Sequence, residues 1–342
     1  MDPDSRPRTH KVKVSVIIPA FRCVGTIDRA VRSALAQPEV EQVILVEDGS
    51  ADGTLEACRR LAANDQRVVL TQHPDTGNHG AGASRDLGIR RATELYVAFL
   101  DADDYYAEGR FTTDGEVFGT HPDADGVYGA VLAQFEDDEA RAVFLHRFHN
   151  PLTTVWKVCA PEDLFIGLTM TPWFGGFHLN ALTVKRAAFE LFQPWFREDL
   201  RLHQDTDFIF RLAHIARLYP GSLEQPVAYR TVHNNNRITA GHDLHASRAE
   251  LYRHLAQWSS TQTGLASVHE QFMERYFLNA LPAAGSKGTT WKVVREVIAR
   301  PSVLQSHYVR EQMVHALLGK GSWLGGKLIV LSWHFSGGLG NC

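Results

Sequence analysis

The sequence predicts an α/β protein with a mostly parallel sheet, followed by a helical region. Three observations support this prediction. Short apolar runs alternate with helical segments of about ten residues up to residue 106, which is typical of parallel sheets covered on both faces. Polar residues follow these runs, at the strand ends where such sheets bind ligands. After residue 241 the pattern is helical.

Four strands and three helices alternate in the first part of the chain. The predicted strands are Val14–Pro19, Val43–Glu47, Val68–Gln72 and Tyr96–Leu100, and the predicted helices are Ile27–Ala36, Thr54–Asn64 and Ala83–Thr93. Beyond Asp123 we predict strands at Gly126–Ala133 and Ala181–Thr183, and helices at Asp163–Gly167 and Thr206–Ala216. Four more helices are predicted at Asp243–Ser259, Ser267–Leu281, Trp291–Ala299 and His307–Leu318.

Composition limits the classes of function. The 342 residues are 44% hydrophobic and 22% charged, which is enough apolar content for one large domain or two ordinary ones. The 35 Lys and Arg residues against 39 Asp and Glu residues give a net charge of −4. This excludes a protein that acts mainly on an extended polyanion such as nucleic acid, and it argues against a polybasic membrane anchor, although a local basic patch is compatible with this average. The four cysteines form no CxxC pair, so we expect a reducing compartment and no cysteine-bound zinc.

Two apolar segments bear on location. Val14–Ile18 is too short for the apolar core of a secretory signal. Trp323–Phe335 is interrupted by two glycines and Lys327, and it falls short of the roughly 20 residues that cross a bilayer. We therefore expect a cytoplasmic protein with a packed terminal helix and at most a peripheral association with the inner face of the membrane.

The first group of candidate functional residues follows the second strand. Asp52, Gly53 and Thr54 are explained by a capped turn between strand and helix. Glu47 and Asp48 are not explained in this way, because carboxylates at a buried strand end need a partner.

The second group follows the fourth strand. Asp101, Asp103 and Asp104 fall within four positions and repel one another unless a cation compensates them. Oxygen ligands alone favour Mg²⁺ or Mn²⁺ over zinc. The alternative is a solvated acidic turn.

The chain between and beyond these groups adds further candidates. The glycines at 77–82 do not follow the first strand, so they do not indicate a dinucleotide site, and Arg85 suits an anionic ligand instead. Asp205 and Asp207 begin a predicted helix, either as capping residues or as a pre-placed catalytic carboxylate. His233 is either structural or a ligand.

Taken in order, these residues resemble the family 2 glycosyltransferases, which have the GT-A fold of nucleotide-diphospho-sugar transferases. The matching segments are residues 14–21, 47–54, 78–80, 84–86 and 100–104, with weaker matches at 173–176, 204–205 and 232–233. The resemblance implies a Rossmann-like GT-A domain over residues 11–240, in which 11–110 bind the nucleotide and 111–240 form the acceptor and catalytic half. Residues 241–342 are then a separate helical region.

The resemblance implies an inverting transfer in polysaccharide biosynthesis. A sugar would pass from a nucleotide-diphosphate donor, with UDP favoured, to a hydroxyl of a saccharide or lipid-linked saccharide, and Mn²⁺ or Mg²⁺ would be required. Asp205 would be the general base, with Asp207 as the alternative. The implied nucleotide-sugar-binding residues are Pro19, Ala20, Phe21, Glu47, Asp48, Arg85, Asp101 and Ala102. The implied metal ligands are Asp103 and His233, with Asp101 as a further candidate, and Trp173, Gly175 and Gly176 would contact the acceptor.

Two positions differ from the family pattern. Glu47 stands where aspartate is commoner, and Gln204 where glutamate is usual. The second difference motivates an alternative, a catalytically inactive protein of the same fold that binds sugar nucleotides or acts as a scaffold. A nucleotidyltransferase would need a glycine-rich and basic loop after the first strand, which residues 19–22 do not provide.

Overall fold

The computed structural model describes residues 12–232 and 244–318. These residues fall into two compact units, one within residues 1–240 and the other within residues 241–342. The first unit is α/β and the second is helical.

The described part of the first unit contains strands and helices in alternation. Its strands are β1 (Val14–Ala20), β2 (Val40–Glu47), β3 (Val68–Gln72), β4 (Tyr96–Phe99), β5 (Tyr105–Tyr106), β6 (Gly126–Tyr128), β7 (Ala130–Phe135), β8 (Leu152–Thr153), β9 (Leu182–Lys185), β10 (Leu218–Pro220) and β11 (Pro226–Val232). Its helices are α1 (Ile27–Leu35), α2 (Thr54–Asn64), α3 (Ala81–Arg91), α4 (Thr112–Thr120), α5 (Asp138–Phe148), α6 (Pro161–Met170) and α7 (Gln204–Ile215), with 3₁₀ turns at Leu179–Ala181 and Arg186–Glu190.

Seven strands form the main sheet, in the order β10-β6-β9-β4-β1-β2-β3. The four strands β4, β1, β2 and β3 are parallel, and β9 runs antiparallel to both of its neighbours. Ala20 at the end of β1 lies opposite Glu47, and Glu47 lies opposite Gln72. The carboxyl ends of these strands therefore meet at one edge. A second sheet has the order β5-β11-β7-β8.

The predicted strand Gly126–Ala133 is wrong in one respect, because it is two strands in different sheets. The chain divides at Gly129, whose N–H donates to the Ala181 carbonyl (3.0 Å), while the N–H of Ala130 donates to Ser222 (2.8 Å). The apolar pattern continues through this point, so hydrophobicity alone could not locate the break.

The two faces of the main sheet have separate apolar cores. Val16 on β1 packs in a cluster with Ile27 on α1 and other buried residues of one face. Residues that point to the other face include Phe99, whose ring lies edge-on to those of Phe196 and Phe208, with both pairs of centroids 6.0 Å apart. This alternation follows from the two-residue period of a strand.

The second unit consists of helices in its described residues. These are α8 (Leu244–Ser259), α9 (Ala266–Ala283), α10 (Lys287–Ile298), α11 (Pro301–Leu304) and α12 (His307–Leu318). No helix in the described ranges combines the length and the apolar character that crossing a membrane requires. The terminal helix predicted at residues 323–335 lies outside these ranges.

The contact between α3 and β1 gives a test of the packing. A Cβ atom added to Gly88 on α3 would lie 2.4 Å from Cγ2 of Ile17. We therefore expect Gly88→Ala to lower the free energy of unfolding by roughly 1–3 kcal/mol, as overpacked cores do, measured by chemical denaturation. Gly25→Ala is the matched control, because nothing lies within 4 Å of that position. Equal stability of the two variants would contradict the packing.

Candidate active site

Glu47 ends β2 and is 1% exposed. Its Oε1 accepts a 2.6 Å hydrogen bond from the main-chain N–H of Ser50, and its Oε2 accepts a 2.7 Å bond from Nε2 of Gln72 at the end of β3. The carboxylate therefore links two strand ends and fixes the turn that follows β2.

Asp48, which is 2% exposed, holds a second loop against this edge. Its carboxylate accepts hydrogen bonds from Nδ2 of Asn78 (2.9 Å) and from the main-chain N–H groups of His79 and Gly80 (2.8 Å each). Charge-assisted bonds of this kind are stronger than neutral ones. Asp48 is thus the anchor of the segment that leads into α3.

The close approach of the two loops requires a glycine at position 49. Gly49 has a φ of +72°, and a Cβ atom there would lie 2.9 Å from the carbonyl carbon of Gly77. Both the backbone conformation and the lack of space exclude a side chain.

The end of β1 forms the neighbouring wall. Ala20 is buried, Pro19 is half-buried and Phe21 is 38% exposed. The guanidinium carbon of Arg22 lies 5.1 Å from the centre of the Phe21 ring, and its main-chain N–H donates to Ser50 Oγ at 3.1 Å. The Phe21 side chain is therefore partly exposed at this strand end, with the Arg22 guanidinium over its ring.

Asp101 begins the acidic turn that follows β4. Its Oδ1 accepts a 2.6 Å bond from Nη2 of Arg85, which is 7% exposed and whose Nε has no hydrogen-bond partner among the described residues. Burial acts to raise the pKa of Asp101, but the charge and hydrogen bond of Arg85 and the charges of His178 and Arg230 together outweigh it, so the pKa is lowered to about 2. Ala102, the next residue, is buried.

Asp104 ends the same turn and is 2% exposed. Its Oδ2 accepts a 2.6 Å bond from Nδ2 of Asn180, and its Oδ1 accepts a 2.8 Å bond from the N–H of Thr231. Burial raises the pKa of Asp104 well above its usual range, and the carboxylates of Asp103 and Asp101 raise it further. Both carboxylate oxygens of Asp104 are therefore engaged in hydrogen bonds within the protein.

Asn180 clamps both ends of the acidic turn. Its Oδ1 accepts from the N–H of Asp101 (3.1 Å) while its Nδ2 donates to Asp104. The side chain is fully buried, and its main-chain carbonyl accepts from Nε of the buried Arg110 (3.2 Å). Arg110 pairs in turn with Asp114 at 2.8 Å. One amide thus determines the shape of the turn.

Asp103 is half-buried in the middle of the turn. Its main-chain carbonyl accepts a 2.6 Å bond from Nη2 of Arg29. Both oxygens of Asp104 already accept hydrogen bonds from the protein. Asp101 and Asp103 are therefore the carboxylates of this turn that fit a cation. Their oxygen-only donor set suits Mg²⁺ or Mn²⁺.

His178 lies beside the acidic turn, with its Nε2 3.9 Å from Oδ2 of Asp101. Burial and, next, the guanidinium of Arg230 lower the pKa of His178 to about 4, although the carboxylates of Asp101 and Asp205 act in the opposite direction. These groups therefore lie close enough to interact through their charges. Arg230, on β11, makes no hydrogen bond or ion pair with its side chain in the described ranges.

The two candidate bases differ sharply in their surroundings. Asp205 is half-buried at the start of α7, and its Oδ1 accepts from the N–H of Thr206 at 2.9 Å. Asp207 is fully buried and forms ion pairs with Arg211 (2.6 Å) and Arg197 (3.2 Å). Its carboxylate is committed to these two arginines.

The predicted acceptor residues lie on a loop that leads into His178. Gly175 forms an antiparallel bridge with Val155, and a Cβ atom on Gly175 would lie 2.2 Å from the Thr154 carbonyl oxygen. The N–H of Gly176 donates to the same oxygen at 3.0 Å. The two joined loops carry exposed tryptophans, and Trp173 is 91% exposed.

Sequence reasoning missed the clamp and the cations around it. Arg110, the pair His178 and Asn180, and Arg230 are separated from one another by about 50 residues or more in the chain, so local spacing gives no signal for the cluster. The available hint was that His178 and Asn180 come two and four positions after a glycine pair. The predicted metal ligand His233 lies outside the described residues.

Comparison with known proteins gives one family match and several partial relatives. Residues 15–157 match the family model described as "Glycosyl transferase family 2". Chondroitin synthase of Pasteurella multocida is 39% identical over 93 residues, which are 27% of this chain and 9% of that protein. The succinoglycan biosynthesis protein ExoU of Rhizobium meliloti is 38% identical over 97 residues, 28% of each chain. The matches thus span well under a third of these relatives' own length.

The fold is shared with solved structures. The structure of S. aureus TarS 1-349 in complex with UDP-GlcNAc has a TM-score of 0.58 to this chain at 18% sequence identity, covering 90% of this chain and 82% of that one. The GT-A fold predicted from the sequence is confirmed.

The clamp at Asn180 can be tested through stability. Asn180→Ala leaves the N–H of Asp101 without its side-chain acceptor and removes one of the two hydrogen-bond donors to the buried Asp104, whose other donor is the N–H of Thr231. We expect it to lower the free energy of unfolding by about 1–3 kcal/mol. Asn180→Asp should cost more at neutral pH, because a second carboxylate would then face Asp104. Chemical denaturation measures both.

The matched controls are Asn64→Ala and Asn64→Asp at an exposed position, which should change stability little. If Asn180→Asp were as stable as the unsubstituted protein, the amide would not clamp the turn.

Proposed function

We propose that this chain, whose residues 15–157 match the model of glycosyltransferase family 2, is an enzyme that transfers a sugar from a nucleotide-diphosphate donor to a hydroxyl group with inversion at the anomeric carbon. The observation that carries this proposal is the electrostatic cluster at the sheet edge. There Asp101 accepts a 2.6 Å hydrogen bond from Arg85 and lies 3.9 Å from His178, and the charges of Arg230 and the partly exposed Asp205 act on the pKa of His178.

Asp205 is the proposed general base. It is partly exposed at the first turn of α7, and its charge acts on the pKa of His178, whose Nε2 lies 3.9 Å from Asp101. It takes the proton of the acceptor hydroxyl while that oxygen attacks the anomeric carbon from the face opposite the diphosphate. The bond between the anomeric carbon and the diphosphate breaks, and the nucleoside diphosphate leaves with the electron pair. Asp207 is less suited to this role because two arginines already bind it.

The leaving diphosphate requires positive charge. Arg230 is the proposed protein cation for it, because its guanidinium has no partner in the described ranges and acts on both Asp101 and His178. Asp101 and Asp103 would hold Mn²⁺ or Mg²⁺, which when bound supplies electrostatic stabilisation of the charge on the diphosphate. The low pKa of Asp101 keeps this carboxylate ionised at neutral pH. His233 stays a proposed further ligand.

The proposed nucleotide pocket lies along the ends of β1 and β2. Pro19, Ala20 and the exposed face of Phe21 would line it. Glu47 and Asp48 would act mainly by fixing its two loops, since their carboxylates already accept hydrogen bonds from the protein. UDP is the favoured nucleotide, and a TarS structure of the same fold that holds UDP-GlcNAc supports this choice.

The proposed acceptor is a saccharide or lipid-linked saccharide. Its sugar rings would stack on the exposed tryptophans of the joined loops, Trp156 (52% exposed) and Trp173. Gly175 would allow the close approach of these loops, whereas at Gly176 nothing lies within 4 Å of an added Cβ atom. The name of one relative, chondroitin synthase, and of another, a succinoglycan biosynthesis protein, supports a role in polysaccharide biosynthesis.

The proposed base is tested by paired substitutions. We expect Asp205→Asn to lower kcat by about 10²–10⁴-fold, as loss of a general base does, with the affinity for the donor little changed. The assay follows release of nucleoside diphosphate from a panel of nucleotide sugars with Mn²⁺ and saccharide acceptors. Asp207→Asn should mainly reduce stability, because Arg211 and Arg197 lose a buried partner.

Full activity of Asp205→Asn would remove this residue as the base. Loss of activity in Asp207→Asn at unchanged stability would assign the role to Asp207 instead. If the unsubstituted protein bound a nucleotide sugar but turned over none of the panel, the inactive alternative would be favoured.

A further inference from the structure

Helix α10 in the second unit presents an unusual surface. Thr290, Val293, Val294 and Val297 are its buried residues, and their spacing places them on one face. The rest of the helix is mostly exposed, which is ordinary for a helix on the surface of a bundle. Its exposed part is unusual because it contains large apolar side chains beside basic ones.

One stripe of the exposed surface combines apolar and basic side chains. Lys287, Trp291, Arg295 and Ile298 follow one another at intervals of four, four and three residues, so they lie along one side of the helix. Trp291 is 54% exposed and Ile298 is 55% exposed. Within the described ranges, the charged groups of Lys287 and Arg295 have no hydrogen-bond or ion-pair partner. We call these four residues the α10 stripe.

The charge around the α10 stripe is opposite to that of the whole chain. Lys292 and Arg300 are also exposed, so four basic residues stand between positions 287 and 300 in a protein whose net charge is −4. The one acid in this segment, Glu296, lies on another side of the helix and accepts a hydrogen bond from the Tyr276 hydroxyl at 3.3 Å. No acid therefore compensates the stripe within its own segment.

We propose that the α10 stripe is a docking surface for an anionic lipid bilayer. Tryptophan favours the boundary between headgroups and acyl chains, and isoleucine gains from burial at the same depth. Lysine and arginine on the same side of the helix then meet the phosphates of anionic lipids. The charge complementarity identifies the occupant as anionic.

A protein partner fits this surface less well. Two large apolar side chains are few for a stable protein interface, which involves about 20–30 residues on each side. A lipid surface needs no shape complementarity, so a short stripe can bind it reversibly. The inference concerns binding alone and is independent of the reaction proposed above.

Co-sedimentation of the full chain with vesicles tests this inference. We expect binding to phosphatidylcholine vesicles that contain about 30% phosphatidylglycerol, weakening as salt rises, and little binding to phosphatidylcholine alone. The double variant Lys287→Glu/Arg295→Glu should lower the partition coefficient by at least about 25-fold, because each basic residue near an anionic surface contributes about fivefold. Trp291→Ser/Ile298→Ser should lower it by about tenfold or more.

The matched control is Arg60→Glu/Arg91→Glu, which changes the net charge equally at exposed positions of the first unit. This control measures the effect of net charge alone. It should bind anionic vesicles within about threefold of the unsubstituted protein. Circular dichroism confirms that each variant is folded. Unchanged binding of either stripe variant, an equal loss in the control, or no preference for anionic vesicles would overturn the proposal.

Discussion

The architecture of the site depends on compensating an acidic turn at the end of a buried strand. Three carboxylates fall within residues 101–104, where repulsion would open the turn in the absence of partners. Arg85 neutralises the first of them, and Asn180 bonds both ends of the turn. Asn180 is held in place by Arg110, which is itself paired in the core with Asp114. Side chains from α3, from the start of α4 and the residues before it, and from the segment before β9 thus together hold residues 101–104 in place.

The carboxylates around the sheet edge divide into two groups by their surroundings. Those of one group are almost completely buried and accept hydrogen bonds from protein donors; they are Glu47, Asp48, Asp104 and Asp207. Those of the other group are partly exposed and face the cluster or stand beside it; they are Asp101, Asp103 and Asp205. The buried group gives the loops a fixed shape, which is what a preorganised electrostatic site requires. The exposed group is the part of the protein that can still meet a cation, a diphosphate or an acceptor hydroxyl.

Local patterns predicted much of the fold. The predicted helix Thr54–Asn64 and strand Val68–Gln72 match the structure at both ends, and the polar turn before the helix is held by Asp52, which accepts hydrogen bonds from the N–H and hydroxyl of Thr54. The break at Gly129 was missed because the chain changes sheets there without any change in hydrophobicity. In the site, the acidic residues at strand ends were found from position alone, whereas Asn180 was not. Its partners are up to 79 positions away, and one sequence does not reveal such contacts.

The central claim is that the acidic edge binds a nucleotide together with a divalent cation. Isothermal titration of UDP and a UDP-sugar into the protein, with and without Mn²⁺, tests this most directly. The account predicts affinity at least about tenfold higher with Mn²⁺, a free-energy difference of about 1.4 kcal/mol, and loss of this enhancement in a folded Asp103→Asn variant. Equal affinity with and without Mn²⁺, or an enhancement that survives Asp103→Asn, would contradict it.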